Sequence, residues 1–408
     1  MLGLSIAFSA PTLIAGCRLM SGLLTNAGKS DFYKSLFPYI CVSAYTNIWN
    51  SERYCQLFTN FVLQHHQQLF RMDVNKNNNP LVSVIMITYN QEKYIEKALR
   101  SVLAQRTTFD FEIVITDDAS SDSTVEICQR ISDEYPGKIN LIARTENLGT
   151  SGNYMDAWGR CRGKYIAICE GDDWWLTTDK LAVQAEYMET HPDCTVCFHR
   201  VANYYPAKHN WSLCGVPATY DFGLTELAKG NFITNLSVMY RALPVSSIPD
   251  WVKQTPLFDY AMHSLHASGG QIHFIPSVMG VYRKHSYGIW SGDALRARRL
   301  ATKIRLLLFN HFQTTRPEAA KVFLDKYYEN AIALGAALQR DGNGKELEDL
   351  IAEIKETCAQ YGTPANETEI LDAIKAFSPA KETLKQRAKR YAFRTLTKIL
   401  PVSLAAKF

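Results

Sequence analysis

The sequence predicts an α/β protein, a mostly parallel sheet with helices on both faces followed by a C-terminal helical region. Three observations carry this. From residue 81 onward, short β-branched apolar runs alternate with amphipathic segments. The connections between them are short, and polar or acidic residues collect where each run ends. Such alternation builds parallel sheets wound with helices.

The first strand is LVSVIMITYN, a nearly all-apolar run of the kind that is buried on both faces. In QEKYIEKALRSVLAQ the residues Ile95, Ala98, Leu99, Val102 and Leu103 share one helical face. FEIVITDDAS is the second strand, and Asp122 or Ser123 can cap the helix running through Val125, Cys128 and Ile131. INLIARTENLG is a third strand, Thr150 to Cys161 a third helix, and KYIAICEGDD a fourth strand. A helix follows Asp179 to about Thr190, then strand-like TVCFHRV and a less regular stretch to Ala228. NLSVMYR reads as a strand and FDYAMHSLHASGG as a helix closed by Gly269 and Gly270. QIHFIPSVMGVYRKHSYG is strand-like and then irregular. From Asp293 the pattern is helical, read as a separate bundle or tail.

Ligands of such sheets sit beyond the carboxyl ends of the strands. The first strand ends in Thr88, Tyr89 and Asn90, and the second in Asp117 and Asp118. The third leads to Asn147 and Gly149, and the fourth ends in Glu170, Gly171, Asp172 and Asp173. A site is expected along this edge. Three carboxylates in four positions repel one another, and a plain helix-capping loop accounts for one or two of them. Hard cations such as Mg²⁺ or Mn²⁺ take oxygen ligands, typically one or two carboxylates plus substrate phosphates. A divalent ion with a diphosphate is the neutralising partner this cluster calls for.

The bulk numbers narrow the class. The 408 residues allow two to three domains; 47% apolar and 21% charged content is ordinary for a globular core. A net charge of +4 with scattered basic residues gives no nucleic-acid footprint. Ten unevenly spaced cysteines, several inside apolar runs, form no disulfide framework and fit a reducing, cytoplasmic compartment. The opening MLGLSIAFSAPTLIAGC ends in a lipoprotein-like box at Cys17, but its first basic residue is Arg18 and Pro11 interrupts it, unlike a secretory signal or a spanning helix. Residues 1–78 read as an N-terminal extension; one account starts the functional chain near Met72.

VSVIMITYNQEKYIEKALRSVLAQ, FEIVITDDASSDST, ENLGTSGNY and YIAICEGDDWW, in this order and at these spacings, resemble the N-terminal half of family 2 glycosyltransferases of the GT-A fold. The resemblance covers roughly residues 80–290. It implies a GT-A-like domain at 79–292, with a nucleotide-binding half 79–175 and an acceptor half 176–292, ahead of a helical region 293–408. It further implies that Thr88, Tyr89 and Asn90 flank the nucleoside, that Asp117 or Asp118 receives the base, and that Asn147 and Gly149 belong to the same pocket. The family's DxD metal motif falls on Glu170 and Asp172, followed by Asp173; Glu stands where the family has Asp, which makes Asp172 the stronger ligand. An inverting transfer needs a base for the acceptor hydroxyl, and Asp259 in TPLFDYAMHSLHASGG matches that position. VYRKHSYGIW resembles the segment closing the site: His285 is expected to complete metal coordination or contact diphosphate, and Arg283 or Lys284 to pair with phosphate oxygens.

The implied activity is metal-dependent, inverting transfer from a UDP- or GDP-sugar donor to a hydroxyl of a cell-surface glycan or lipid-linked saccharide, without nucleic acid as a partner. A sugar-phosphate nucleotidyltransferase is the rival enzyme, though no glycine- and lysine-rich phosphate loop adjoins the first strand. A non-catalytic membrane-associated scaffold with the same fold is the rival without chemistry. Cys194, Cys197 and His199 have zinc-like spacing but read as core residues, because i and i+3 in a strand face opposite sides. His65 and His66 read as surface residues. The tail 381–408 carries Leu384, Ala388, Tyr391, Leu396 and Ile399 near one stripe, amid Lys385, Arg387, Lys389, Arg390, Arg394 and Lys398. A basic amphipathic helix of this type can lie on an anionic membrane surface, or dock on the protein; the first makes the chain peripheral at the inner face of the cell membrane.

Overall fold

In this computed structural model the described residues are 79–215, 219–255, 257–285, 293–361 and 365–377. The expectations for residues 1–78, including Cys17, His65 and His66, and for the tail 381–408 lie outside them.

The alternation forms as read. β1 (Val82–Thr88) leads to α1 (Ile95–Leu103), β2 (Phe111–Asp117) to α2 (Thr124–Glu134), and β3 (Ile139–Ala143) to α3 (Gly149–Arg160). β4 (Tyr165–Ile168) ends in the acidic turn, followed by β5 (Trp174–Trp175), α4 (Lys180–Thr190) and β6 (Cys194–Tyr205). Next come β7 (Asn210–Leu213), β8 (Asp221–Phe222), α5 (Leu224–Lys229), β9 (Met239–Arg241) and α6 (Trp251–Gln254). The domain closes with α7 (Phe258–Gly269) and β10 (Gln271–Arg283).

One ten-stranded sheet runs β3-β2-β1-β4-β9-β6-β10-β5, with β7 on β6 and β8 on β10. The first four strands are parallel; β9 is antiparallel to both its neighbours, and β6 and β10 are again parallel. Period-2 alternation in β1 divides its side chains between two cores. Val82, Val84 and Met86 meet α1, α2 and α4, while Ile85 faces α3 and α7 on the other side. Helices therefore cover both faces, which is why these strands read as unbroken apolar runs.

Register aligns the chemistry. Thr88 pairs with Asp117 at the ends of β1 and β2, so both strands deliver their polar residues at one level. β4 is short, but its continuation still tracks β1: Cys169 N–H donates to the Ile85 carbonyl at 3.0 Å, and Gly171 N–H to the Ile87 carbonyl at 3.2 Å. β10 is long enough to return to this edge. Arg283 lies beside Tyr204 of β6, and β10 also pairs with β5, directly after the acidic turn.

The C-terminal helices α8 (Ala294–Phe312), α9 (Pro317–Arg340), α10 (Gly344–Tyr361) and α11 (Glu367–Ala376) depart from the expected separate bundle. Phe309, Phe312, Phe323, Tyr327 and Ile354 belong to the same continuous apolar core as α3, α5 and α7. Asp293 caps α8, accepting from the amides of Leu295 and Arg296.

The entry to β4 rests on a close backbone approach. Gly163 N–H donates to Ser83 Oγ at 2.8 Å, and that hydroxyl donates to the buried Glu112 carboxylate at 2.6 Å. Arg162 closes the cluster with two side-chain bonds to Glu112. A Cβ at Gly163 would lie 2.4 Å from Ser83 N and 2.8 Å from Val82 C, backbone atoms that cannot yield. Gly163→Ala is therefore expected to cost at least about 1–3 kcal/mol. Urea denaturation checks this, with a lowered midpoint and unchanged slope as the expected result.

Candidate active site

A cleft of about 1150 Å³ opens along the carboxyl edge of the sheet. Thr88, Tyr89, Asn90 and Asp118 line one part of it, Glu170, Asp172 and His285 another, and Asp259 stands on the same wall as Asn231 and Phe258. The residues expected to act together thus share one cavity, although Asp117, Asn147, Gly149 and Asp173 are not among its lining side chains.

The β1–β2 end is built from loop-to-loop hydrogen bonds. Asn90 sits in the left-handed region at φ 52°, accepting from the Ser121 amide and donating from its own amide to Ser120 Oγ. Asp117 is fully buried and accepts from both the amide and the hydroxyl of Ser120, so its carboxylate shapes the loop. Asp118 faces the cleft and accepts from the Leu148 amide at 2.8 Å. Asn147 donates to the Asp118 carbonyl and accepts from the Gly149 amide, while Gly149 takes φ 73° to start α3. Asn147 and Gly149 therefore hold the pocket's frame from behind.

The acidic turn gives each carboxylate a different partner. Asp173 is 1% exposed and turned inward, accepting from the Arg283 amide at 2.8 Å. Burial, then Asp172 and Glu170, push its pKa well above the usual carboxylate range. Asp172 points into the cleft, with Oδ2 2.8 Å from His285 Nε2. Glu170 Oε1 accepts from Tyr154 Oη at 2.8 Å and Asn235 Nδ2 at 3.0 Å, and Asn235 also donates to the Tyr154 hydroxyl at 2.7 Å. Burial and the neighbouring Asp172 raise Glu170 to about 7, against the lowering effect of Asn235 and Tyr154.

Gly171 makes the turn's approach to β1 possible, since a Cβ there would fall 2.3 Å from Gln91 Oε1 and 3.2 Å from Thr88 Cβ. Tyr154 stacks on Phe258 with centroids 4.5 Å apart, which ties the Glu170 clamp to the start of α7 and hence to Asp259. Asp259 accepts from Asn231 Nδ2 at 3.4 Å. Burial raises its pKa and outweighs the lowering by the amides of the helix start, so it is a stronger base than a surface aspartate.

The segment after β10 splits its cations. Lys284 lines the cleft, with a pKa lowered chiefly by burial. The Arg283 guanidinium is instead engaged by the Asp172 carbonyl and by the rings of Tyr94 and Trp174. Tyr154, Asn235 and Asn231 were not singled out by sequence reasoning. Tyr154 reads as an ordinary core aromatic in a helix, and the two asparagines as loop polar residues.

The donor set suits a hard divalent cation. Asp172 and Glu170 offer carboxylate oxygens, and a cation would relieve the Asp172 repulsion that adds to burial in raising Glu170. Among the described residues no three of His, Cys, Asp and Glu form a cage alone, so substrate oxygens would have to complete the coordination. Cys194 and Cys197 are core thiols, pushed up in pKa by burial, and His199 is buried beside them. Among the described residues no helix is long and apolar enough to cross a membrane.

Residues 83–243 match the profile of glycosyl transferase family 2. Over these residues the chain is similar to that family. An uncharacterized protein of Mycobacterium tuberculosis is 40% identical over 211 residues, covering 51% of this chain and 60% of its own length. The putative teichuronic acid biosynthesis glycosyltransferase TuaG of Bacillus subtilis is 38% identical over 28% of this chain and 43% of its own. WfaP of Escherichia coli, named as a UDP-Glc:α-D-GlcNAc-diphosphoundecaprenol β-1,3-glucosyltransferase, is 36% identical over 31% and 47%. The chain thus spans less than two thirds of the length of these relatives. The crystal structure of S. aureus TarS 1-349 with UDP aligns at a TM-score of 0.47 and 17% identity, over 62% of this chain and 72% of that one.

The raised Glu170 has a sign that can be checked. Its folded value of about 7 exceeds the ordinary 4.5, so across that window the folded state keeps a proton the unfolded state has lost. Stability should therefore fall as pH rises from about 4.5 to 7, by roughly 1–3 kcal/mol for this group. Glu170→Gln is expected to remove that part of the slope, giving a smaller loss of unfolding free energy than wild type between pH 4.5 and 8. Parallel slopes would contradict the burial account.

Proposed function

We propose that this glycosyltransferase moves a sugar, with inversion, from a UDP- or GDP-linked donor to a hydroxyl of a cell-envelope glycan or lipid-linked saccharide, using Mg²⁺ or Mn²⁺. The observation that carries the reading is one cleft lined by Asn90 and Asp118, Glu170 and Asp172, and Asp259 together. A nucleotide pocket, a diphosphate anchor and a base are the three parts such a transfer requires.

In this reading Thr88, Tyr89, Asn90 and Asp118 receive the nucleoside, with Asp117, Asn147 and Gly149 fixing the loops around it. Asp172, with Glu170 beside it, would hold the cation, and His285 would share in coordination or touch the diphosphate. A bound divalent ion supplies charge neutralisation to the departing diphosphate. Asp173 supports the turn from inside. Asp259, kept basic by burial, accepts the proton of the attacking hydroxyl as the anomeric bond breaks on the opposite face, the sequence that inverts configuration. Lys284 would offer a positive charge to phosphate oxygens.

The donor class and the lipid-linked acceptor draw on the relatives: WfaP is named for UDP-glucose and a diphosphoundecaprenol-linked sugar, and TuaG for teichuronic acid biosynthesis. A peripheral position at the membrane rests on the basic pattern of residues 381–408 and on such an acceptor.

A panel of nucleotide sugars screened for Mn²⁺-dependent donor hydrolysis tests the proposal and identifies the donor. Asp172→Asn is expected to abolish metal-dependent turnover; full activity in that variant would remove Asp172 from the metal role. Asp259→Asn should bind UDP with Mn²⁺ as wild type does while turnover drops by about 10²–10⁴. Calorimetry and the hydrolysis assay separate the two effects, and wild-type rates would dismiss Asp259 as base.

A further inference from the structure

We propose that Arg283 is a positioning residue for Asp172, setting where that carboxylate stands through the backbone of the acidic turn and through a stack of aromatic rings. The inference rests on the reading of Asp172 as a cation ligand and assigns a role beyond it.

Four contacts converge on this residue. Its amide donates to Asp173 Oδ1 at 2.8 Å, and its Nε donates to the Asp172 carbonyl at 2.7 Å. Its guanidinium carbon lies 4.4 Å from the Tyr94 ring centroid and 4.7 Å from that of Trp174. Arg283 thus reaches both adjacent acids of the turn, Asp173 through its backbone amide and the Asp172 carbonyl through its side chain. The rings are themselves fixed. Trp174 is 5% exposed, meets Tyr204 and Trp211 edge-on, and carries the Lys97 ammonium 3.6 Å from its centroid. Tyr94 stacks with His285 at 5.8 Å, and His285 reaches the Asp172 carboxylate itself.

Asp172 is consequently addressed twice from the end of β10: at its carbonyl by Arg283 and at its carboxylate by His285. The planar guanidinium suits this place. It can lie against two ring faces and still donate along Nε, which a lysine ammonium cannot reproduce. It also sets positive charge beside a turn carrying three carboxylates without lining the cleft itself. Mutating a group that orients a metal's ligands typically costs about 10- to 100-fold in metal affinity.

The test measures Mn²⁺ binding to the full chain saturated with UDP, reading free Mn²⁺ by its electron paramagnetic resonance signal. Arg283→Met and Arg283→Lys are both expected to weaken Mn²⁺ by roughly 10- to 100-fold, while UDP affinity in chelator and the unfolding midpoint of Arg283→Lys stay near wild type. Wild-type Mn²⁺ affinity in either variant would overturn the proposal, in the lysine variant by showing that charge alone suffices. A matching loss of UDP affinity in chelator would overturn it as well, by showing general collapse of the cleft. If the wild-type chain takes up no Mn²⁺ with UDP, the metal reading falls, and this inference with it.

Discussion

Mutual repulsion among Glu170, Asp172 and Asp173 is the constraint on which the rest of the site depends. Carboxylates this close, at the mouth of a buried sheet, cannot all be ionised at little cost. The fold resolves the conflict by giving each a different environment. Asp173 turns into the protein against the β10 backbone, Glu170 is gripped by Tyr154 and Asn235 at the cleft wall, and Asp172 projects toward the cleft with His285 beside it. Burial raises Glu170 and Asp173 above the usual carboxylate range. The turn presents a compact acidic target, which a divalent ion with a diphosphate matches in charge and in ligand type.

Long-range register turns this local arrangement into a site. Parallel pairing aligns the ends of β1 and β2, the acidic turn continues along β1 beyond the last residues of β4, and β10 returns from the other half of the sheet to close on it. Stacking of Tyr154 on Phe258 then couples the turn to the helix that carries Asp259. The C-terminal helices fill the back of the same core, so α7 is supported on its far side by apolar packing. The matched family domain, residues 83–243, ends before α7 and β10; Asp259, Arg283 and His285 come from the chain beyond it.

Much of this was legible in the sequence, for physical reasons. Strands buried on both faces must be continuous apolar runs, so β1, β2 and β4 announce themselves, and the residues that end them mark the ligand edge. The convergence of Tyr154, Glu170 and Asn235 was not legible, because nothing in the local pattern of a helix or a loop says which distant carboxylate its side chain will meet. The same limit explains NLSVMYR, read as one strand: only Met239–Arg241 pairs, while Asn235–Ser237 forms a 3₁₀ turn that presents the asparagine to Glu170. Neighbours in a motif were also indistinguishable by composition. Asp118 faces the cleft and Asp117 the loop, Lys284 the cleft and Arg283 the aromatic stack, choices decided by strand alternation and by partners far along the chain.

A crystal grown with UDP and Mn²⁺, examined by anomalous scattering at the manganese edge, tests the central claim most directly. The account expects one strong peak in the cleft, with an Asp172 carboxylate oxygen roughly 2–2.5 Å away and diphosphate oxygens on its other side. UDP seated in the cleft with no manganese at the acidic turn, or manganese bound elsewhere, would contradict it.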